Sequence, residues 1–91
     1  MKGTHSSKFK KDYKLAQKQQ KDINLLKDIV KKLSKKEKLP AKCKDHKLSG
    51  DLKKYRELKL HPDWLLIYRI DEDKQELKLA RLGSHSELYR K

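Results

Sequence analysis

Apolar residues in the first half of the chain recur at the spacing of helices. Over residues 7–20 an apolar side chain returns every three or four positions and lysines fill the other faces, which is typical of an amphipathic helix. A second run follows Asp22, a predicted N-cap, and continues to about residue 36. The stripe residues are Phe9, Tyr13 and Ala16 in the first run and Ile23, Leu26, Ile29, Val30 and Leu33 in the second. The pattern predicts two helices over residues 7–36, ending before Pro40.

The second half of the chain changes to the two-residue period of strands. Over residues 53–60, Leu58 and Leu60 point to one side and Tyr55, Glu57 and Lys59 to the other. Residues 64–70 form a nearly continuous apolar and aromatic run, as in a strand covered on both faces. Residues 77–82 predict a third strand, and charged or proline-containing turns separate the three.

Two helices followed by three strands indicate an α+β fold, with the helices packed on one face of a small twisted antiparallel sheet. Ser84 and Glu87 match a capping box, which predicts a short C-terminal helix over residues 84–89. Residues 37–51 are a polar connection, and residues 52–83 hold the strands. Whether residues 1–6 add an edge strand stays open, because they show no apolar alternation. A length of 91 residues predicts a single domain over 1–91.

Composition excludes several classes of protein. No apolar run approaches the roughly 18–20 residues that cross a bilayer, and the N-terminus lacks the apolar core of a secretion signal. Cys43 is the single cysteine, so neither an internal disulfide nor a cysteine metal cluster is possible. We therefore expect a protein of the reducing cytoplasm.

Charge is distributed unevenly along the chain. The formal net charge is +13, of which residues 1–50 carry +11 and residues 51–91 carry +2. Such asymmetry predicts a surface for a polyanion, most commonly nucleic acid. An acidic protein partner, or a highly charged surface with no partner, is the alternative.

Candidate chemistry is concentrated at predicted strand ends and turns. The four histidines lack zinc-type spacing and the three glycines form no phosphate loop, so metal-free acid–base chemistry or plain binding remains. Two histidines beside fixed cations suit in-line cleavage of RNA, in which one group accepts the 2′-hydroxyl proton and another protonates the departing 5′-oxygen. The candidates are His46, Lys59, Asp63, Trp64, Arg81, His85 and Tyr89.

Each candidate also has a purely structural interpretation. A lone histidine on a small basic protein is more often a surface residue than a catalyst. Asp63 follows Pro62 and suits a turn, Arg81 could pair with Glu57 or Glu76 across strands, and Trp64 is more often core than a base-stacking platform. Taken one at a time, these interpretations are the more common outcome.

Five segments together resemble the YafQ branch of the RelE-like toxins. They are Lys8-Phe9-Lys10-Lys11-Asp12-Tyr13, Asp45-His46-Lys47-Leu48-Ser49-Gly50, His61-Pro62-Asp63-Trp64-Leu65-Leu66-Ile67-Tyr68 and Arg81-Leu82-Gly83-Ser84-His85-Ser86-Glu87-Leu88-Tyr89, with Tyr55-Arg56-Glu57 between the second and the third. Members of that family are bacterial toxin–antitoxin ribonucleases that cut messenger RNA on the ribosome. The order and spacing of these segments make the resemblance specific.

The resemblance implies a microbial ribonuclease fold with the reactive groove on the side of the sheet opposite the helices. It implies that His46, Asp63, Arg81 and His85 are catalytic and that Trp64 and Tyr89 support the site or stack a base. It also implies a cognate antitoxin, expected here to carry an acidic segment, and binding of the pair to operator DNA. Lys59 stands where close relatives have a histidine, and His61 is displaced by two positions, so the identity of the general base stays open.

The resulting hypothesis is a ribosome-dependent, metal-independent endoribonuclease without a cofactor. His85 is the expected general acid, His46 or Asp63 the expected base, and Arg81 and Lys59 the groups that hold the scissile phosphate. Two alternatives stay open on the sequence: a noncatalytic RNA-binding module associated with the ribosome, and an inactive toxin homologue that only binds its antitoxin.

Overall fold

The structure, a computed structural model, describes residues 1–89. Three helices and five strands follow one another along the chain, with two short 3-10 turns at Ala41–Cys43 and Gly50–Leu52. The elements are β1 (Lys2–His5), α1 (Ser7–Lys18), α2 (Ile23–Ser34), β2 (His46–Lys47), β3 (Arg56–His61), β4 (Trp64–Asp71), β5 (Glu76–Gly83) and α3 (His85–Leu88).

Both long helices begin at side-chain caps. The Ser6 hydroxyl accepts from the backbone N–H of Phe9 at the start of α1, and the Asp22 carboxylate accepts from that of Leu25 at the start of α2. These bonds satisfy backbone donors that the first helical turn leaves unpaired. The predicted N-cap at Asp22 is thus confirmed, and the two predicted helices are present.

The sheet is mixed, with strand order β1-β5-β4-β3-β2. The three predicted strands form its antiparallel centre. The expectation of a wholly antiparallel sheet is wrong at one edge, because β1 runs parallel to β5 from the Lys2–Glu76 pair to the His5–Leu79 pair. Most side chains of β1 are exposed, so this strand has no burial pattern that its sequence could reveal.

Besides β1, another strand that was not predicted, β2, lies inside the predicted loop 37–51. The two residues of β2 pair with β3 through His46–Glu57 and Lys47–Arg56, and the backbone N–H of Leu48 donates to the carbonyl of Tyr55. The loop therefore supplies the other edge of the sheet.

The two faces of the sheet differ in what covers them. One face packs against α1 and α2 and contributes Leu58, Leu60, Leu66, Tyr68, Leu77, Leu79 and Leu82 to the core that Phe9, Ala16, Leu26, Ile29 and Leu33 complete. We call this the helix-covered face. The distal face, on the other side, is defined by Glu57, Lys59, Leu65, Ile67, Arg81 and Gly83, which are direct partners across β3, β4 and β5.

No helix within residues 1–89 is long and apolar enough to cross a membrane.

Candidate active site on the distal face

One row of side chains crosses the distal face from edge to centre. His46 pairs with Glu57, Glu57 with Ile67, and Ile67 with Arg81. Because directly opposed residues of antiparallel strands share a face, residues separated by 35 positions in the chain lie in one line. The Cα atoms of His46 and Arg81 are three strand spacings apart, about 14 Å.

His85 reaches the same face because α3 folds back directly on the end of β5. A side chain at Gly83 would have its Cβ 3.3 Å from a methyl carbon of Leu88, so a glycine permits this close return. The predicted capping box is present: the Ser84 hydroxyl accepts from the N–H of Glu87, and the Glu87 carboxylate accepts from that of Ser84. The cap fixes the start of the helical turn that carries His85.

Asp63, in the turn between β3 and β4, is bound by His85 twice. Its Oδ1 atom accepts the backbone N–H of His85 at 3.2 Å and lies 3.2 Å from the ring Nδ1. The backbone hydrogen bond first, and the ring second, hold the pKa of the Asp63 carboxyl below its usual range. A carboxylate with a lowered pKa is a weak base, and its geometry fixes the imidazole so that Nε2 is the atom directed away from the pair.

A second cluster joins Tyr89, Glu57 and His46. The Tyr89 hydroxyl donates to Glu57 Oε2, and Glu57 Oε1 lies 3.8 Å from His46 Nε2. Glu57 is only 8 % exposed. Burial first, and the bond to Glu57 second, raise the pKa of Tyr89, so its hydroxyl stays a donor. The rings of Tyr89 and His85 are 6.3 Å apart, which brings the two clusters together.

Arg81 is held from the helical side by Asp12. Its Nε and Nη2 atoms donate to the two carboxylate oxygens at 2.8 and 3.3 Å, and Asp12 also accepts the backbone N–H of Leu82 at 3.0 Å. The bond to Asp12 raises the pKa of Arg81. The expected cross-strand pairing of Arg81 with Glu57 or Glu76 is therefore wrong. A guanidinium has five N–H donors, so the edge bearing Nη1 remains for an anion.

Lys59 lies on the distal face next to Glu57, opposite Leu65. His61 does not take its place, because the pairing of β3 with β4 shifts between Lys59 and His61. The His61 ring instead stacks on Trp64 and its Nε2 atom lies 3.5 Å from Asp22 at the start of α2. The lysine is thus the side chain available on this face, and the displaced histidine belongs to the helical side.

Trp64 belongs to the core. It is 2 % exposed and packs in the core cluster formed with the helices. A base can stack only on an accessible ring face, so this burial favours the expectation that Trp64 supports the site, at the β3–β4 turn that carries Asp63, over the expectation that it stacks a base.

The structure thus brings His46, Arg81, His85, Asp63 and Tyr89 to one side of the sheet. Sequence reasoning missed the two carboxylates that organise them. Glu57 was readable as a distal-face residue from its alternation with Lys59, but nothing in the pattern marked it as the link between His46 and Tyr89. Asp12 lies in the helical segment that resembles the family, 69 residues from Arg81, and only the packing of α1 against β5 reveals its role.

The arrangement offers two imidazoles backed by carboxylates and one anchored guanidinium. Each imidazole has a carboxylate on one side, and this negative charge stabilises the positive charge that protonation of the ring creates. The guanidinium presents donors to an anion. These are the parts required for moving protons at a phosphodiester. Within residues 1–89 no three His, Cys, Asp or Glu side chains are grouped to hold a metal ion.

Comparison with known proteins gives consistent similarities. Residues 1–90 match the family described as bacterial toxin of type II toxin–antitoxin system, YafQ. The mRNA interferase toxin YafQ of Escherichia coli strain K12 is 42 % identical over 86 residues, covering 93 % of this chain and 91 % of that protein. Among solved structures, a metal-bound toxin from Helicobacter pylori is 45 % identical with a TM-score of 0.92, covering 97 % and 98 % of the two chains. The E. coli DinJ–YafQ complex gives 41 % identity and a TM-score of 0.86, with 96 % of each chain covered.

Proposed function

The chain belongs to the YafQ family of bacterial type II toxin–antitoxin toxins and is an mRNA interferase, an endoribonuclease, and from this premise we propose how its residues cut RNA. The observation that carries the proposal is the convergence of the His85–Asp63 pair, the Tyr89–Glu57–His46 cluster and the Asp12-anchored Arg81 on the distal face. RNA supplies its own nucleophile, so the protein's task is to move two protons and to stabilise charge on the phosphate.

His85 is the proposed general acid. Its Nδ1 atom faces Asp63, so the proton available to substrate is the one on Nε2. This proton passes to the 5′-oxygen as the bond between phosphorus and that oxygen breaks. The Asp63 carboxylate holds the ring in place, in the orienting role that carboxylates take beside catalytic histidines. Its lowered pKa and its use by His85 argue against Asp63 as the general base.

His46 is the proposed general base. Its Nδ1 atom lies 2.7 Å from the carbonyl of Lys44, an acceptor that fixes the proton on Nδ1 and leaves a lone pair on Nε2. That lone pair takes the 2′-hydroxyl proton as the 2′-oxygen attacks phosphorus. Glu57, 3.8 Å from Nε2, stabilises the resulting imidazolium, while Tyr89 holds the other oxygen of Glu57.

Arg81 and Lys59 are proposed to hold the scissile phosphate. Arg81 presents the Nη1 edge of its guanidinium, since the opposite edge is bound to Asp12, and a fixed planar donor suits the oxygens of a phosphorane-like transition state. Lys59 lies in the neighbouring row and adds a second cation. No step of this scheme uses a metal ion, so we expect cleavage to continue in the presence of a chelator.

The substrate is proposed to be messenger RNA on the ribosome, in the cytoplasm. The support is family membership together with the charge of +11 on residues 1–50, most of which lies on α1, α2 and the connection after them. A lysine-rich helical surface binds phosphate backbones without sequence preference, and this binding weakens steeply as salt rises.

A cognate antitoxin is the proposed protein partner, and E. coli YafQ has been crystallised with DinJ. Between α1 and α2 lies a groove of about 810 Å³ with an apolar floor that includes Phe9, Tyr13, Leu26 and Val30. Its rim carries Lys10, Lys14, Lys27 and Lys31. An apolar floor with a cationic rim complements an acidic amphipathic segment, and we propose such a segment of the antitoxin as its occupant. The complex is further proposed to bind operator DNA.

Primer extension on a reporter transcript in a translating extract tests the nuclease mechanism. We expect wild-type protein to produce defined 5′ ends and His85→Ala to lose them, because removal of a general acid costs about 10²–10⁴ in rate. A transcript with a single 2′-deoxynucleotide at the cut position should resist cleavage there, since the nucleophile is missing.

The matched control is His61→Ala. His61 is also an exposed histidine beside a carboxylate, 3.5 Å from Asp22, but it lies towards the helices. Its loss should leave cleavage within about twofold of wild type, the small change that a surface substitution typically causes. Full activity of a folded His85→Ala protein would refute the assignment of the general acid.

A further inference from the structure

An ionic cluster on the helix-covered face lies directly behind His46. Arg56 Nε and Nη2 donate to the two carboxylate oxygens of Asp45 at 3.2 and 3.3 Å. The Tyr68 hydroxyl donates to Asp45 Oδ1 at 2.6 Å. Arg56 and Tyr68 are direct partners across β3 and β4, so the carboxylate is held from two strands at once. We call Asp45, Arg56 and Tyr68 the rear clamp.

The rear clamp is anchored on the central strand of the sheet, in the core. Tyr68 is 1 % exposed, on the central strand and within the core. Burial first, and its bond to Asp45 second, raise the pKa of Tyr68, so the hydroxyl remains a donor at any physiological pH. The bond to Asp45 likewise raises the pKa of Arg56. The Tyr68 hydroxyl and the Arg56 guanidinium therefore both remain hydrogen-bond donors to Asp45.

The segment that the clamp holds lies between the buried Cys43 and the edge strand β2. β2 is two residues long and lies at the edge of the sheet. Asp45 immediately precedes it, and successive residues of an extended chain point to opposite faces. The Asp45 side chain therefore reaches through to the helix-covered face while that of His46 reaches Glu57 on the distal face. Because the two residues are adjacent in the chain, holding the Asp45 side chain also restricts the position of His46.

The backbone conformation of Lys44, the residue before Asp45, also contributes to the position of the His46 ring. Lys44 adopts a left-handed conformation with φ of 47°, which is unfavourable for a residue with a Cβ. This turn places the Lys44 carbonyl 2.7 Å from His46 Nδ1. Lys44 ends the 3-10 turn Ala41–Cys43, where its N–H donates to the carbonyl of Ala41, and the residue after it is Asp45 of the rear clamp.

We propose that Tyr68 and Arg56, acting through Asp45, are positioning residues for His46. The rear clamp holds the Lys44–His46 backbone so that Nδ1 of the imidazole faces a carbonyl and Nε2 faces Glu57 and the substrate. The inference rests on the proposed role of His46 as general base. Loss of the clamp leaves the chemistry intact and misplaces one participant, and a displacement of about 1 Å can cost on the order of 100-fold in rate.

The test is a double-mutant cycle with Tyr68→Phe and His46→Ala, because Phe keeps the buried ring and removes only the hydroxyl. We expect Tyr68→Phe to lower the single-turnover cleavage rate about tenfold with little change in the substrate concentration at half-saturation. In the His46→Ala background the same change should cost less than twofold. Tyr55→Phe, which removes the hydroxyl of a tyrosine outside the rear clamp and outside both histidine clusters, is the matched control and should leave the rate unchanged.

Nuclear magnetic resonance of the His46 imidazole provides a readout independent of cleavage. In wild type the ring nitrogens should show a proton held on Nδ1. In Tyr68→Phe we expect a mixture of tautomers. Should Tyr68→Phe reduce stability too far, Asp45→Asn replaces it, since the amide keeps the side-chain shape and loses the ion pair; the same tautomer mixture is then expected.

The outcomes separate this inference from the proposed function. An unchanged His46 resonance in Tyr68→Phe and Asp45→Asn, with His46→Ala inactive, would overturn the positioning role and leave the general base intact. A changed resonance with a fully active His46→Ala protein would support the clamp as a device that orients His46 and overturn the catalytic assignment. Equal costs of Tyr68→Phe with and without His46 would show a merely structural tyrosine and refute the inference.

Discussion

The two faces of the sheet carry similar groups arranged to opposite effect. On the distal face, His85 is bound to Asp63 through Nδ1 and Arg81 to Asp12 through one edge of its guanidinium. Within residues 1–89 these bonds leave the His85 Nε2 atom and the Nη1 edge of Arg81 unshared. On the helix-covered side, the guanidinium of Arg56 is turned to Asp45, which also takes the hydroxyl of Tyr68.

The difference lies in what remains unshared and towards which side it points. A histidine beside a carboxylate is not by itself a sign of catalysis, since His61 and Asp22 form such a pair on the helical side. Arg56 is bound to Asp45 through the same two nitrogens by which Arg81 is bound to Asp12. The side of the sheet therefore separates a group that faces the candidate site from a structural brace, and the mode of anchoring does not.

After His85→Ala, the largest expected effect is that of Arg81→Ala. Removing the anchored guanidinium should lower the cleavage rate about 10²–10³-fold, as loss of a donor aimed at developing charge does. Arg81→Lys should fall in between, because an ammonium keeps the charge and loses the fork. Single-turnover cleavage measures both. Arg69→Ala is the control, because Arg69 lies opposite Lys78 and outside the row that contains Arg81. Its cleavage rate should stay within about threefold of wild type. Equal losses in the two variants would show that the row of Arg81 has no special role.

Asp63→Asn should reduce cleavage about 10- to 100-fold, since the imidazole of His85 loses the charge that orients it. Because the folded pKa of Asp63 lies below the usual 3.8, the carboxylate stabilises the fold above that pH, and this contribution is lost as the pH falls through the folded pKa. The difference in thermal midpoint between wild type and variant should therefore be present at pH 5 and disappear at lower pH.

Asp71→Asn is the matched control for this prediction. The N–H of Lys74 lowers the pKa of Asp71 in the same way, so its stability profile should have the same sign. The cleavage rate should remain that of wild type, because Asp71 lies at the β4–β5 turn. Loss of cleavage in Asp71→Asn would mean that stability rather than orientation explains both variants.

Asp12→Asn should lower the cleavage rate about tenfold, since Arg81 is then free to turn away. It should also lower the free energy of unfolding by about 1.5–3 kcal/mol, the range for hydrogen bonds to charged groups. Asp28→Asn removes only an exposed pair with Lys32 on α2, worth about 0.3–0.5 kcal/mol. Chemical denaturation and single-turnover cleavage distinguish the two; a silent Asp12→Asn would show that β5 alone sets the position of Arg81.

Lys59→Ala is expected to give the smallest change, a three- to fivefold weaker binding of substrate. One cation fewer near the phosphate should reduce the slope of log affinity against log salt by about one. Titration of a noncleavable transcript at several salt concentrations measures this slope. An unchanged slope would remove Lys59 from the phosphate-binding set.

The helices and central strands could be predicted because their burial follows from local periodicity. Phe9 and Ala16 mark the stripe of α1, and Leu58 and Leu66 mark the helix-covered face. β1 could not be predicted, since Lys2–His5 is exposed and is held by backbone pairing with β5. The shift in pairing after Lys59 was hidden too, because a strand irregularity depends on both partners rather than on one sequence.

The residues of the candidate site could be predicted from the sequence, but the contacts between them could not. His46, Arg81 and His85 were identified by resemblance, and antiparallel pairing explains why they share a face. Which carboxylate serves which cation depends on tertiary packing: Asp12 reaches Arg81 across 69 positions, and Tyr89 reaches Glu57 across 32. Trp64 shows that the burial of an aromatic residue beside a site cannot be predicted from its position in the sequence.

The parallel pairing of β1 with β5 governs when the enzyme can first become active. β1 cannot pair with β5, and Asp12 cannot bind Arg81, until residues 76–85 have emerged from the ribosome that synthesises them. A nascent chain therefore carries lysine-rich helices but no assembled cleavage centre while residues 76–85 are still inside the ribosome that makes it.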